Sequence, residues 1–309
     1  FRMDRDWKSI DNRLVGHGTL LLSVDFLDSW GKQLAEQNSR KVGSPYKYPL
    51  GLMEYGGLLH CYLRLGYRQV KGVFIAIRKQ ESRLKVPAYS QICRRFNTLP
   101  VKINPKKSIS REKNLFIGID ASGKSVTNRG EWLRKIHRKG KIGECKGFIK
   151  IHVAVNIENN ELLDIEITKH NIGDNREFRN LLNGCIENTG KPIRQVNADS
   201  GYDSENNFEM LEEMRIKPGI RIKNNADISP PPPDFIHRNR PEPVRKKYAR
   251  IQLADRKKWK EENEYGLRWI VESFFSSFKR RFGTYVTAKK YENMQHELLF
   301  KAQLYNQLL

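Results

Sequence analysis

Five short apolar segments between residues 114 and 223 constrain the fold of this chain more than any other feature of its sequence. They are rich in β-branched residues and are bounded by polar turn residues, which is typical of β-strands. In chain order they read NLFIGIDAS, FIKIHVAVN, ELLDIEITK, IRQVNADSGYDS and KPGIRIK. Segments with helical spacing follow the third, fourth and fifth strands. The order β-β-β-α-β-α-β-α predicts an α/β fold, a mixed five-stranded sheet flanked by helices.

Two features refine this prediction. Asn159 and Asn160 stand between the second and third segments, where such residues predict a hairpin turn. If the first and fourth strands are parallel neighbours, the residues that follow them emerge at one edge of the sheet. Sheets of this kind bind their ligands at that edge.

Residues 1–110 predict a separate, mainly α-helical N-terminal domain. Apolar residues recur with helical spacing in LLLSVDFLDSW and LGLMEYGGLLHCYLRLG, and two shorter helical segments follow, YRQVKGVFIAIRK and PAYSQICRRFNTL. A pair of short helices whose second member is basic meets the requirements of a helix-turn-helix, and it places Arg94 and Arg95 at base edges or phosphates. Short helical pairs also occur in α-domains that bind no DNA, so that alternative stays open.

The basic segment VKINPKKSISREK reads as a linker, and residues 111–309 form the second domain. Within it, residues 224–258 are a basic, proline-rich insertion. From residue 224 to residue 260 there are ten Lys or Arg against four acids, and six prolines, four of them consecutive at 230–233. Because proline disfavours helices and central strands, we predict an extended loop. It is either a DNA-contacting arm or a disordered surface insertion.

The charge balance indicates the class of partner. Lys and Arg number 57 against 35 Asp and Glu, a formal net charge of +22 at pH 7. So large an excess favours a polyanionic partner, of which nucleic acid is the usual one. An anionic membrane surface and a ribosome-like assembly are the alternatives. No apolar run approaches the length of a membrane span and no apolar signal region opens the chain, so we expect a soluble, cytoplasmic protein without a membrane partner.

The segment YGLRWIVESFFSSFK, residues 265–279, predicts an amphipathic helix with an unusual polar side. At about 100° per residue its apolar side chains fall on one face: Leu267, Ile270, Val271, Phe274 and Phe278. Tyr265, Arg268, Glu272 and Lys279 share one narrow stripe on the other face. An ordinary solvated face with an Arg268–Glu272 pair also explains this pattern.

Three carboxylates stand where chemistry on such a sheet is expected: Asp120 and Asp199 at the ends of the first and fourth strands, and Glu272 on the polar stripe. The four cysteines form no close pair and the seven histidines are dispersed, so a catalytic metal would need oxygen ligands. Converging carboxylates repel one another unless cations lie between them, and Mg²⁺ or Mn²⁺ accepts such ligands. Two ions about 3.5–4 Å apart would support phosphoryl transfer on nucleic acid. Taken singly, Asp120 and Asp199 also suit a strand end or a turn cap.

Together these residues carry a resemblance to a known family. The polar stripe matches Y-x2-R-x3-E-x6-K, and the chain resembles the bacterial and archaeal insertion-sequence transposases that have this signature and an Asp-Asp-Glu triad. The blocks IGIDASGKSVTNRGEW with KGFIKIHVAVN, and VNADSGYDS, are similar to the family's two aspartate regions. DNRLVGHGTLLLSVDFLDSW and VPAYSQICRRFNTL are similar to its helical leader. The likeness spans nearly the whole chain.

The resemblance implies an RNase H-like catalytic domain whose metal-binding triad is Asp120, Asp199 and Glu272, with two Mg²⁺ or Mn²⁺ ions expected. For the rest of the signature it implies contact with DNA near the cleaved end: Tyr265, Arg268 and Lys279. The implied reaction is hydrolytic nicking at the ends of the element, followed by attack of the freed 3′-hydroxyl on target DNA. The expected partners are inverted-repeat ends, target DNA and a second copy of the chain, on the nucleoid of a prokaryote.

Two other functions stay open at this stage. A catalytically inactive DNA-binding repressor would keep the fold, and a structure-specific RNase H-like nuclease would cut DNA without joining strands. The three intact acids argue against the repressor, and the helix-turn-helix-like pair argues against the nuclease. Some relatives insert a large all-β subdomain before the glutamate helix, whereas here the proline-rich insertion fills that space. The resemblance therefore carries no expectation of hairpin processing.

Overall fold

The computed structural model describes residues 7–126, 148–229 and 242–309 of the chain. The chain divides into two compact units: unit 1 comprises Phe1–Lys102 and Ala288–Leu309, and unit 2 comprises Ile103–Thr287. The observed division after residue 102 lies close to the predicted one near residue 110. The C-terminal helix differs from the prediction, because it belongs to unit 1 and not to the second domain. The predicted polyproline turn at 230–233 and Cys145 lie outside the described residues.

Unit 1 is helical. Its described helices, numbered along the chain together with those of unit 2, are α1 (Trp7–Leu22), α2 (Trp30–Asn38), α3 (Leu50–Cys61), α4 (Tyr67–Gln80), α5 (Tyr89–Phe96) and α12 (Tyr291–Gln307). From its third residue onward α3 is almost wholly buried. Its own residues are apolar or small on nearly every side of the helix, which is typical of a buried helix. Helices α4 and α5 are the two short helices predicted from the sequence.

Helix α12 joins unit 1 through contacts that no local sequence pattern reveals. The Phe300 ring meets the Phe96 ring edge-on, with centroids 5.1 Å apart. A Cβ atom on Gly57 of α3 would lie only 2.8 Å from Phe300, so glycine there lets the ring reach the α3 backbone. On the same helix Glu297 and Lys301 form a buried ion pair. These long-range contacts explain why the sequence-based boundary misassigns the C-terminus.

Unit 2 contains a mixed five-stranded sheet. Its strands are β1 (Leu115–Ser125), β2 (Phe148–Asn156), β3 (Leu162–Lys169), β4 (Ile193–Ala198) and β5 (Lys217–Ile220). The spatial order is β3-β2-β1-β4-β5, with β1–β2 and β2–β3 antiparallel and β1–β4 and β4–β5 parallel. Strands β2 and β3 form the predicted hairpin, and Asn160 adopts a left-handed backbone there, with φ of 59°. The predicted α/β fold, a mixed five-stranded sheet flanked by helices, is confirmed.

Helices pack on both faces of this sheet. They are α6 (Lys106–Arg111), α7 (Phe178–Thr189), α8 (Glu205–Glu213), α9 (Val244–Ala254), α10 (Arg256–Glu262) and α11 (Trp269–Phe282). Alternate residues of β1, from Leu115 to Ile119, form one core with α7, α8 and α9. Helix α11 covers the other face so closely that a Cβ on Gly118 would overlap the Val271 side chain. By strand alternation, residues 120, 122 and 124 share the face of Gly118.

Two local predictions in unit 2 are wrong. The insertion is not an extended loop throughout, because residues 244–262 form α9 and α10, with Ala249 buried in the core. Pro243 immediately precedes α9, a place where proline is compatible with a helix. Helix α11 begins at Trp269, and Tyr265–Arg268 is a 3₁₀ turn, so the glutamate helix starts one turn later than predicted.

Two further observations concern the helices and the cysteines. No helix within the described ranges has the length and apolarity needed to cross a membrane. Cys61 and Cys185 are buried free thiols, and burial raises the pKa of each. They are therefore core residues, as isolated cysteines usually are.

Candidate active site

Asp120 lies on β1, on the face that α11 covers. It directly follows the buried run that ends at Ile119, and its Oδ1 accepts a hydrogen bond from the Ala121 amide at 2.8 Å. In the parallel ladder Ile119 pairs with Ala198, the last residue of β4. The residues that follow this pair, Asp120 and Asp199, therefore emerge at the same edge of the sheet.

Asp199 begins the 3₁₀ turn Ser200–Tyr202. Its Oδ1 accepts a hydrogen bond from the Gly201 amide at 2.8 Å, so the capping role that its sequence context suggests is present. Asn207 supports the turn by donating to the Tyr202 carbonyl at 2.9 Å and to Asn175 Oδ1 at 2.5 Å. Because the cap uses Oδ1, it leaves the second carboxylate oxygen for another ligand.

Glu272 and Arg268 lie one helical turn apart at the start of α11. Arg268 donates from Nη2 to Glu272 Oε1 at 2.6 Å and from Nη1 to Asp120 Oδ2 at 3.4 Å. The close contact between Val271 and Gly118 fixes how near α11 passes to β1. One guanidinium therefore joins the acid of the strand to the acid of the helix.

Tyr265 lies against the end of β4. Its hydroxyl donates to the Ala198 carbonyl at 3.3 Å, and its ring centroid lies 5.0 Å from that of Trp259. Ala198 directly precedes Asp199. The phenol is thus placed beside the second aspartate, although it belongs to the 3₁₀ turn and not to the helix itself.

Lys279 lies two turns beyond Glu272 on α11. Its Nζ donates to Ser122 Oγ at 2.7 Å. Ser122 shares the face of Asp120, two residues further along β1. Sequence reasoning missed Ser122, and the available signal was its i+2 position in a strand.

Comparison with known families assigns the chain. Residues 112–307, more than half of the chain, match the transposase DDE domain family, and residues 14–129 match a second model of the same description. The chain belongs to the DDE transposase family. The first match includes all three predicted acids, and the resemblance drawn from the sequence is confirmed at the level of the family.

Among solved structures, this transposase is similar to chains of two complexes. One is the Drosophila P element transposase strand transfer complex, with 10% identity over 94% of this chain and 71% of that chain, at a TM-score of 0.34. The other is the simian T-cell lymphotropic virus intasome in complex with the PP2A regulatory subunit B56 gamma. Its identity is 12% over 78% of this chain and 74% of that chain, at a TM-score of 0.26. The family assignment rests on the sequence match.

The three acids of this transposase influence one another electrostatically. Burial raises the pKa of Asp120, and the neighbouring Asp199 and Glu272 carboxylates raise it further. The Ala121 amide and the Arg268 guanidinium act in the opposite direction by favouring the charged carboxylate. Arg268 therefore supplies the positive charge that allows these acids to lie near one another.

The donor chemistry of the site suits the divalent metal ion that the family implies. Carboxylate oxygens are the ligands that Mg²⁺ and Mn²⁺ prefer, and Asp120 and Glu272 already hold a cationic group between them. In the part of the chain that the structure describes, no three His, Cys, Asp or Glu side chains converge as a metal site. Arg268 bridges two of the acids instead, and a metal ion shared by Asp120 and Glu272 would take the place of its guanidinium.

The two other predicted DNA contacts, Arg94 and Arg95, lie on α5 of unit 1 and differ from each other. Arg94 is exposed, and its Nε donates to the Ser90 carbonyl at 3.3 Å. Arg95 is half-buried, donates to Gln37 Oε1 at 3.0 Å, and lies over the Tyr46 ring at 4.0 Å. Arg94 is accessible to a ligand, whereas Arg95 is tied into unit 1.

Proposed function

We propose that this transposase binds the ends of an insertion sequence and catalyses metal-dependent cleavage and transfer of DNA strands. One observation carries the proposal: Asp120 and Glu272 meet on the Arg268 guanidinium, at the sheet edge where Asp199 also emerges. Sheets with parallel strands bind ligands at this edge. Family membership supports DNA as the substrate.

In the proposed mechanism, Asp120, Asp199 and Glu272 would hold the divalent metal, expected as two Mg²⁺ or Mn²⁺ ions. Such ions activate a water or a 3′-hydroxyl and stabilise the leaving oxygen of a phosphodiester. Before metal binding, Arg268 offsets the repulsion between the acids. Once released, its guanidinium binds a DNA phosphate, for which its planar fork is well suited.

The remaining signature residues bind DNA beside the acids. Ser122 holds the Lys279 ammonium in one place, and the Ala198 carbonyl does the same for the Tyr265 hydroxyl. In unit 1, α4 and α5 bind the element ends as a helix-turn-helix, with Arg94 and Arg95 on the second helix. The net charge of +22 supports association with DNA. We place the working form, a homodimer that unites two ends, on the nucleoid in a prokaryotic cytoplasm.

A strand-cleavage assay tests the proposal. A labelled duplex that carries an end of the element is incubated with the protein and Mg²⁺, Mn²⁺ or EDTA. We expect metal-dependent nicking followed by joining, and a loss of about a thousandfold or more in rate for Asp120→Asn and for Glu272→Gln. Glu261→Gln, which changes an exposed carboxylate of α10, is the matched control and keeps the wild-type rate.

Three outcomes would contradict the proposal. Nicking without joining would indicate a structure-specific nuclease. Binding without metal-dependent cutting would indicate a repressor. Equal rates for Asp120→Asn and Glu261→Gln would remove the acids from the reaction.

A further inference from the structure

Unit 1 has two adjoining hollows on its surface that meet at Arg94. One is lined by the first turns of α4 and α5, from Gly66 to Gln69 and from Tyr89 to Arg94. The other is lined by α5 and by the loop from Ser44 to Tyr48. The sequence-based helix-turn-helix hypothesis involves α5 but gives no part to this loop.

Each hollow contains an exposed tyrosine with an arginine on its ring. The Arg68 guanidinium lies 4.6 Å from the centroid of Tyr89, which is 42% exposed. The Arg95 guanidinium lies 4.0 Å from the centroid of Tyr46, which is 39% exposed. A guanidinium on an aromatic face keeps its full charge, because the ring attracts it without neutralising it. Both hollows thus present aromatic area and positive charge to solvent.

Four cations line the two hollows: Lys47, Arg68, Arg94 and Arg95. Among the described residues that line them, none is Asp or Glu. A surface with several cations and no adjacent carboxylate is complementary to a polyanion. Its planar rings can in addition pack against sugars or bases.

Helix α5 presents one face to solvent while its opposite face is in the core. Tyr89, Ser90 and Arg94 are exposed, whereas Ile92 and Phe96 are buried. Helices that read DNA place their first residues in the major groove. The exposed face of α5 has Tyr89 and Ser90 in its first turn and Arg94, which lines both hollows, in its last turn.

We propose that Tyr46, Arg68, Tyr89, Arg94 and Arg95, here called the tyrosine–arginine surface, bind duplex DNA. Arg68 and Arg94 contact backbone phosphates, and the two tyrosine rings pack against the sugar edges beside them. Arg95 is a positioning residue that holds Tyr46. This inference rests on the proposed function and adds the surface by which unit 1 binds its substrate.

The test measures DNA affinity of the full chain by fluorescence anisotropy, with a labelled 30-base-pair duplex of random sequence and its matching single strand, over a NaCl series. We expect Arg68→Ala and Arg94→Ala each to weaken duplex binding several-fold. Each should lower the slope of log affinity against log salt by about one, because each removes one phosphate contact. Arg78→Ala, at the far end of α4 and outside both hollows, is the matched control and leaves both quantities unchanged.

The tyrosines provide a second reading that does not depend on charge. Tyr89→Ala should weaken duplex binding, whereas Tyr89→Phe, which keeps the ring, should bind like the wild type. Thermal unfolding of each variant checks that unit 1 remains folded. Because Arg94 is exposed and its guanidinium bonds its own helix, Arg94→Ala keeps the test valid if Arg68→Ala lowers stability.

The outcomes separate this inference from the proposed function. A wild-type chain that binds no duplex at any salt would overturn both. Normal duplex binding by Arg68→Ala and Arg94→Ala, with loss in Lys279→Ala, would overturn the surface and leave the proposed function standing. Tighter binding of the single strand, weakened equally by these variants, would overturn the assignment to duplex DNA.

Discussion

In helix α9 the cations pair with carboxylates, whereas two of the three arginines of the tyrosine–arginine surface, Arg68 and Arg95, lie on aromatic rings. The pairs of the first region are Arg245–Asp203, Lys246–Asp227, Lys247–Glu212 and Arg250–Glu242. Both regions are strongly basic in the sequence. From this difference we expect the placement of counter-charges, and not the number of cations alone, to decide which region binds DNA.

The candidate active site, where Arg268 meets Asp120 and Glu272, lies between these two regions in its charge balance. Arg268 is paired there with Asp120 and Glu272, so its charge is balanced in the free protein. A metal ion that takes over the carboxylates would leave the guanidinium unbalanced. On the proposed function, Arg268 would therefore change from a paired to an unpaired state when metal binds.

The largest expected effect on stability concerns Arg245, whose charge is balanced by a buried carboxylate. Arg245 donates to both carboxylate oxygens of Asp203, at 2.5 and 2.8 Å, and the Asp203 side chain is fully buried. Asp203→Ala should lower the free energy of unfolding by about 3 kcal/mol, because it leaves a partly buried guanidinium without its partner. Urea unfolding measures this loss. Glu212→Ala breaks the exposed pair with Lys247 and should cost less than about 1 kcal/mol. An equal loss of unfolding free energy in the two variants would show that the buried ion pair contributes no more to stability than the exposed one.

Asp164, a partly buried carboxylate whose pKa no cation lowers, sharpens the comparison from the opposite side. Burial raises the pKa of Asp164 to about 7, while Asn188 donates a hydrogen bond to it. Because the folded pKa exceeds the unfolded one, this group stabilises the fold at low pH, and that stability is lost as pH rises through 7. The free energy of unfolding should fall by about 1–3 kcal/mol from pH 5 to pH 8 through this group. Asp164→Asn should remove that part of the pH dependence. An unchanged pH profile in the variant would contradict the assignment.

The next effect concerns the candidate active site. Arg268→Ala should strengthen Mn²⁺ binding about fivefold in the absence of DNA, because the ion no longer competes with a pair that contributes up to about 1 kcal/mol. Free Mn²⁺ measured by electron paramagnetic resonance gives the affinity. Arg280→Ala, on the exposed side of the same helix, is the control and should bind Mn²⁺ like the wild type. Weaker Mn²⁺ binding by Arg268→Ala would show that Arg268 supports the ion and does not compete with it.

The smallest expected effect is on DNA binding by α9, the first helix after the proline-rich part of the insertion. Lys246→Ala and Lys247→Ala should each change duplex affinity by less than about twofold, since both cations already have carboxylate partners. The anisotropy assay described for Arg94→Ala measures this directly. A loss of duplex affinity as large as that of Arg94→Ala would support the sequence-based hypothesis that the insertion is a DNA-contacting arm.

The sheet and its acids could be predicted because local patterns carry them. Apolar runs with turn residues between them marked all five strands, and the parallel pairing of β1 with β4 then placed Asp120 and Asp199 at one edge. The i, i+4 spacing likewise anticipated the contact between Arg268 and Glu272. For the strands and for this contact the information lies within a few residues of the feature, whereas the pairing of β1 with β4 entered the sequence analysis only as a condition.

The missed features depend on partners far apart in the chain. Arg245 pairs with Asp203, which lies 42 residues earlier in the chain. No local periodicity in the sequence predicts this contact between α9 and Asp203. Helix α12 joins unit 1 because Phe300 reaches Phe96. The six prolines between residues 230 and 243 led to the prediction of an extended loop for the whole insertion, although the last of them immediately precedes α9.

The most direct test of the central claim is a Mn²⁺ titration of the full chain by electron paramagnetic resonance, comparing the wild type with Asp199→Asn. Asp199 is the decisive position because its capping hydrogen bond to Gly201 offers a purely structural alternative. We predict that the wild type binds Mn²⁺ and that Asp199→Asn, with its fold intact by thermal unfolding, binds at least about tenfold more weakly. Equal Mn²⁺ affinity in the two proteins would contradict the claim that the three acids form one metal site.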